Sequence, residues 1–560
     1  LDIPIVYAPG AEGYQELFEQ GNVQGAFWYR KKRPGRNEGL VLAIAGNIFF
    51  LILVNETWTV HFLIAGNNPN LMKAWFCQAE EWLYIQDGES KPIFWNGLIP
   101  ATEDNIRRSD PSKNEMPVGT IMAYCHGRVF VSNAFDQVAA SDIIYGNATT
   151  DSSATQMFTE NTYWAEGGYF GMPTDLGHIT GMIVLPRQRA NIIGQGELVI
   201  LCEEGASSLD VSIPRLQWKD AKIQEVTMAG RGPIAYDTVI AVNNDCWFRS
   251  DDGLSSYKLR QSDADSSLSL TKLSRQVNQW MEGETMWLKE FSTSIYFDNR
   301  IITTVQPQME ISKIGVGSHR FHRGMVVLDL DKASDVTGDA SFNWDGLWTG
   351  VRPTAMVKAG LYAFIISYDS DGKNRIYRLA RVTGNDRCRN IGVQQEWAYH
   401  TKRFDWSTSQ ASNSFMFKEL YGGQLFVSDV KDRIDIGVSF RPDNCQTWFG
   451  LMPETPFGSY FDGEFLFSAP RFNQFVFGNP TKGCAPGLLN PVNHGSEFQF
   501  KVFGRGQVRV DRLRVAVAAQ NDPDILATNC KTDDPKKVLD SNKDSDYSYD
   551  IYQQSLVNEK

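Results

Sequence analysis

The chain has 560 residues, too many for one hydrophobic core, so several domains or one large repeated unit are expected. Hydrophobic residues make up 42% and charged residues 21%, which excludes a wholly disordered chain; aromatics reach 12%, a share that suits flat β faces. The formal net charge of −12 argues against wrapping duplex DNA as a main task, because affinity there comes from neutralised phosphates. A conduit whose wall does not hold what passes is compatible with that charge.

In chain order, Leu1 to Gly10 lack the basic start and apolar core of a secretory signal, and none is expected. Arg30-Lys31-Lys32-Arg33 with Arg36 form the one basic cluster, too small for a nucleic-acid stripe and read as a solvated surface or subunit contact. The apolar run Leu40–Val54 is interrupted by Gly46-Asn47 and is shorter than the ~20 residues of a membrane helix. It predicts two buried strands, and no membrane span is expected. The pattern of Trp75–Ile85 fits helix or strand, and because it leads into the turn Gln86-Asp87-Gly88 its end is read as strand; Ala101–Asn114 is a polar loop. Residues 1–116 are thus an N-terminal β region, contributing a platform or first blades.

From Pro117 onward one unit recurs: a β run, a glycine turn, another β run. Gly127-Arg128-Val129-Phe130-Val131, Gly196-Glu197-Leu198-Val199-Ile200 and Gly423-Gln424-Leu425-Phe426-Val427 share one frame, and Asp252-Gly253 and Asp371-Gly372 sit where two-residue hairpin turns are expected. Regularly spaced short strands with turn signals predict radially repeated sheets. The fold class expected is all-β, a β-propeller core over 117–414 with additional antiparallel β structure. Leu270–Met281 is the one short helix expected, from Leu273, Val277 and Trp280.

A C-terminal β domain is expected over 415–525. Its last strand alternates Val508, Val510 and Leu513 with Arg509, Arg512 and Arg514, and the alternation slips near Asp511, which predicts a β-bulge. Residues 531–560 are rich in Asp, Ser, Lys and Tyr and poor in aliphatics, so 526–560 are expected to form an extended arm ordered by a neighbour, with Tyr547, Tyr549 and Tyr552 as anchors.

Little of this carries chemistry. Cys77, Cys125, Cys202, Cys246, Cys388, Cys445, Cys484 and Cys530 are widely spaced with no C-x-x-C pair, and read as buried thiols rather than zinc ligands. His319 and His322 are the only close histidine pair; Gly315, Gly317 and Gly324 argue against a helix there, so they are read as loop or strand start rather than metal ligands. Asp251-Asp252-Gly253-Leu254-Ser255 and Asp443-Asn444-Cys445-Gln446-Thr447-Trp448 echo the Asp-box hairpin of sialidase-type propellers, a structural turn in which Asp accepts backbone N–H bonds. Glu80, Glu81, Asp329, Asp331 and Asp345 are available carboxylates, but sequence spacing cannot pair them across a cleft. Nucleophile-elbow, Walker A and His-Glu-x-x-His patterns are absent. No catalytic, cofactor-binding or metal residue is assigned, and no cofactor is expected.

Gln86-Asp-Gly-Glu-Ser-Lys-Pro, the run Pro117 to Ser132, Phe248-Arg-Ser-Asp-Asp-Gly-Leu-Ser-Ser, Phe297-Asp-Asn-Arg and Trp344-Asp-Gly-Leu-Trp-Thr-Gly together resemble the tail nozzle and packaged-DNA-stabilisation (tail tubular) proteins of short-tailed bacteriophages. The resemblance spans roughly residues 80 to 515. It implies a non-enzymatic virion protein, a propeller-bearing subunit of a homo-hexameric ring below portal and adaptor. That ring would surround the passing genomic DNA and offer docking sites to fibres or spikes. The rival reading is a sialidase-like or other glycan-processing propeller, which would require arginines facing a Tyr/Glu pair at the propeller axis. A secreted glycan-binding module is disfavoured by the missing signal and the unpaired look of the cysteines.

Overall fold

A computed structural model describes residues 3–32, 34–110, 112, 115–133, 136–144, 169–185, 196–213, 217–218, 224–227, 231–243, 245–257, 274, 277–281, 284, 286–307, 321–330, 343–379, 396–405, 417–443, 445–457, 475–477 and 494–520. The chain divides into two compact units, Leu1–Cys388 and Arg389–Lys560.

The first unit is a β-propeller. Among the described residues it holds seven small sheets in chain order, whose innermost strands are Val23–Tyr29, Trp75–Ala79, Met122–Cys125, Ile179–Leu185, Ile240–Val242, Ser294–Phe297 and Pro353–Ala359. Each innermost strand lies beside that of the next sheet, and the seventh returns to the first, closing a ring. We number the sheets blades 1 to 7 and letter their strands A to D from the axis outward. Within every blade successive strands pair antiparallel, because each A–B, B–C and C–D connection is a local return of the chain.

The turns explain why the chain returns where it does. Gly127 (φ 77°) turns blade 3 from A to B, Gly253 (φ 129°) opens strand C of blade 5, and Gly372 (φ 77°) turns blade 7 from B to C. Positive φ is easy for glycine and strained for most other residues. The apolar run 40–54 is two strands, Gly39–Ile44 and Asn47–Val54, reversed at Ala45-Gly46, and Trp75–Gln86 is a hairpin of two strands rather than a helix. No described helix is long and apolar enough to cross a membrane.

Closure is made by the N-terminal residues. Ile5–Tyr7 pairs in parallel with Trp58–Val60 on the outer edge of blade 1, and the Ile3 N–H donates to the Ile376 carbonyl of blade 7 at 3.3 Å. The short helix Gln15–Gln20 adds a second tie: the Asn374 amide donates to the carbonyls of Phe18 at 2.9 Å and Gly21 at 2.8 Å. Leu40, Leu42, Phe49 and Trp58 of blade 1 form one core with Val357, Phe364, Ile366 and Ile376 of blade 7, where Trp28 stacks on Phe364 at 5.8 Å. Burying such side chains contributes about 1.5–3 kcal/mol each, which is what holds a non-covalent ring shut.

Blades 1 and 2 precede residue 117, which is the first-blades alternative for residues 1–116. The first unit ends at Cys388 rather than 414, because Glu396–His400 pairs with Phe498–Gln520 and not with a blade. Of the helix expected over 270–281, residues 270–273, 275 and 276 lie outside the described residues, and Asn278–Trp280 form a 3-10 turn.

The second unit is a six-stranded antiparallel sheet around two long strands, Phe417–Pro442 and Phe498–Gln520. Leu420, Leu425, Ile436, Val438, Phe440, Phe498, Phe500 and Val502 form its core. Gly423 lies inside the first long strand, opposite Val515, and not in a turn as its sequence frame suggested. Phe426 pairs with Arg512 and Val427 with Val510, so Asp511 is the extra residue of a bulge, where the alternation had slipped. The arm expected over 526–560 lies outside the described residues.

Candidate functional site

Three places in the propeller gather polar chemistry. The first is the axis. The A strands start on one face, and there a cavity of about 30 Å³ lies among Gln24, Ala26, Asp237, Thr293 and Thr354 from blades 1, 5, 6 and 7. Such a volume suits one or two waters and is far smaller than a sugar. Phe291 borders this cavity and carries Lys73 over its ring at 5.5 Å, so an aromatic ring and a cation from the opposite side of the ring meet at the mouth. Trp287 packs edge-on against Phe291 at 5.3 Å, and it and Met286 are exposed there (41% and 53%). The described A strands contain no arginine, the residue type a sialidase-like centre would need at this axis.

The second is a buried charge network. Arg249, on strand B of blade 5, is 1% exposed and donates to the Glu284 carboxylate, to Ser292 Oγ at 2.5 Å and to the Thr304 carbonyl at 2.9 Å. His322 Nε2 lies 3.2 Å from Glu284 Oε1 and 3.5 Å from Ser292 Oγ. Burial pushes the Glu284 carboxyl up, but the His322 hydrogen bond and the Arg249 charge outweigh it and hold the group below the usual carboxylate range. Serine, histidine and glutamate here do not make a nucleophilic triad. Both partners approach the same imidazole nitrogen, whereas a triad needs the acid on the other one. All three are buried, so no substrate reaches them. The backbone N–H of His322 also donates to the Pro353 carbonyl at 2.9 Å, and the network therefore ties blades 5, 6 and 7.

The third is the basic cluster. It occupies the A–B hairpin of blade 1, facing the A–B turn of blade 2. Arg36 lies 3.4 Å from Glu81 and Lys32 4.0 Å from Glu80, so part of the cluster is matched by carboxylates within the unit. Glu80 also accepts a hydrogen bond from the Tyr124 hydroxyl at 2.7 Å.

The other candidates fall out as structural. Asp252 accepts a hydrogen bond from Ser250 Oγ within the blade 5 turn. Asp443 accepts the N–H groups of Ser496 at 2.7 Å and Glu497 at 3.1 Å, an Asp-anchored turn in the second unit and not in a blade. Asp329 and Asp345 both flank Arg300, at 3.9 and 3.0 Å. Cys77, Cys125, Cys202 and Cys246 are buried free thiols, and burial pushes the first three up to about 12. Among the described residues no three His, Cys, Asp or Glu side chains could share a metal. His319, Asp331, Cys388, Cys484 and Cys530 lie outside them. Glu284 and Phe291 carried no sequence signal, since their partners are brought in by other blades.

No protein-family model and no curated protein matches the chain. Among solved structures it is similar to the WD40 beta propeller domain of Doa1, at 10% identity and TM-score 0.37, covering 65% of this chain and 94% of that one. It is similar to a chain of the Mitotic Checkpoint Complex at 9% identity and TM-score 0.37, covering 64% and 89%. The computationally designed Ika8 protein gives 10% identity and TM-score 0.33, covering 68% and 100%. The propeller assignment stands on the seven sheets and their closure.

Proposed function

We propose that this chain is a structural virion protein of a short-tailed phage, a subunit of the ring-shaped tail nozzle through which the genome leaves. The observation that carries the reading is the set of resembling strings. Gln86–Pro92 follows strand B of blade 2, Phe248–Ser256 spans the B–C hairpin of blade 5, and Phe297–Arg300 is the A–B turn of blade 6. They are scaffold positions, as a structural protein requires. The exposed apolar side chains of the closed propeller support contacts with neighbours. Met286 and Trp287 sit beside the axis, while Leu361 and Tyr362 (64% and 44% exposed) sit at the A–B hairpin of blade 7. In this reading copies close head to tail into a hexamer, adaptor and fibre or spike proteins dock on it, and DNA passes without sequence-specific binding. Imaging of the particle tests it: a six-fold ring at the tail is expected, and a monomer on a peripheral fibre overturns it.

The second reading, a glycan-processing propeller, keeps only the Asp-box-like turns in its favour. A screen with fluorogenic sialosides and other glycosides separates the two.

A further inference from the structure

The second unit gathers cations around one tryptophan, a feature that the nozzle reading does not use. In an antiparallel pair, directly opposed residues share a face, and successive residues alternate faces. His400 pairs with Lys501 and Lys501 with Ser439, while Arg441 pairs with Gln499 two residues further along the same strands. These residues therefore share one face, and Phe440, Phe500 and Val502 turn to the other, where the core lies. Trp448 precedes the strand Phe449–Phe457, which pairs with Phe417–Pro442, yet its ring lies 5.0 Å from that of His400 at the far side of the sheet. The indole thus reaches across the polar face. The Arg441 guanidinium lies 4.7 Å from its centroid and the Lys501 ammonium 5.9 Å. Lys501 and Ser439 are fully buried on this face, and Ser439 Oγ has no hydrogen-bond partner.

The charges here are not matched. Arg441 donates from Nε to the neutral Gln499 amide at 2.7 Å and stacks on Trp448, and among the described residues no carboxylate pairs with Arg441 or His400. Glu497, two residues before Gln499, is engaged by Arg403 at 2.8 Å. Burial of the ring, then the charges of Lys501 and Arg441, push His400 down to about 4. The field that opposes another positive charge favours a negative one. We propose that this face binds a tetrahedral oxyanion of the phosphate class, with Trp448 covering it. Arg441 offers forked N–H donors, Lys501 an ammonium, His400 a ring nitrogen and Ser439 a hydroxyl, from three different strands. A carboxylate has two oxygens in one plane, enough for the arginine fork alone, whereas phosphate has oxygens for donors that converge from several directions. Glu396–His400 is the end strand of the sheet and Arg441 is only half-buried, so the anion has a way in. A tilt of the indole brings it to the Ser439 hydroxyl and gives that group the partner it lacks.

The site lies within the second unit and does not rest on the nozzle reading. Isothermal titration calorimetry of the full-length chain with inorganic phosphate at constant ionic strength tests it. Adenosine monophosphate, acetate and chloride serve as comparisons, and circular-dichroism melts as a folding control. Saturable phosphate binding is expected, about tenfold tighter than acetate. Arg441→Gln should weaken it about tenfold and Ser439→Ala about fivefold. Arg441→Lys keeps the charge but loses the fork, and should still bind phosphate more weakly than the wild type if Arg441→Gln folds poorly. Lys31→Gln/Lys32→Gln, in the basic hairpin of the propeller, should bind as the wild type does. A phosphate-induced change in tryptophan fluorescence that is lost in Trp448→Phe, while calorimetric binding remains, supports a ligand at that ring. Binding of adenosine monophosphate beside phosphate supports a phosphate monoester as the source, and its exclusion supports the free ion. No phosphate binding by the folded chain overturns the proposal. So does binding untouched by both Arg441 variants, or acetate binding as tight as that of phosphate. A chain that binds phosphate but forms no six-fold ring leaves this site standing and removes the nozzle reading.

Discussion

At Gly253 the backbone has φ of 129°, and a Cβ built there would lie 1.9 Å from Ser274 Oγ. That hydroxyl is already engaged, accepting the Leu254 N–H at 3.2 Å and bonding Asn278 Oδ1 at 2.8 Å. Gly253→Val therefore meets both a strained conformation, costing about 1–3 kcal/mol, and a steric conflict with a buried partner. The melting temperature should fall; an unchanged melt with failed assembly would instead make the turn functional. Glu284 gives a residue-scale prediction with a pH sign. Its carboxyl is held below the usual range, so it binds a proton less readily folded than unfolded. The stability it lends is complete above the unfolded value, near pH 4.3, and drains away as pH falls through the lower folded value. Glu284→Gln leaves Arg249 buried without its counter-charge, a loss of about 3–5 kcal/mol at neutral pH. Melts of wild type and variant should converge as pH falls through the folded value, and a gap independent of pH would contradict this account.

At the scale of elements, the sequence was most legible where glycine and alternation act locally. Gly127, Gly253 and Gly372 mark hairpins because positive φ is a backbone demand visible in one residue. The bulge at Asp511 was legible because a slipped alternation has one cheap remedy, an extra residue. Gly423 misled for a related reason: glycine permits a turn without requiring one, and here it runs through a strand. Asp511 can be tested directly. Removing it would shift every residue on one side of it to the opposite face, exposing apolar positions. Deletion of Asp511 should destabilise the second unit far more than Asp511→Ala, and equal effects would mean the bulge does not set the register.

The whole molecule shows what alternation cannot reveal. That Ile3 reaches Ile376, that Asn374 caps the helix Gln15–Gln20, and that Arg249 meets Glu284 and His322 are long-range facts set by ring closure. Sequence read residues 1–116 as platform or first blades, and only the return of blade 7 onto blade 1 makes them the start of the ring. The candidate site was legible mainly as a lack of catalytic pattern. The small axial cavity, its Phe291 border and the buried network depend on distant partners. We predict background turnover with sialosides, other glycosides and peptidoglycan; activity abolished by a single carboxylate substitution would promote the enzyme reading. The central claim is the nozzle ring, and the measurement that reaches it most directly is symmetry-resolved electron microscopy of the chain in its particle. The account predicts six copies closed around the DNA path at the tail. A single copy, or an open arrangement away from that path, would contradict it.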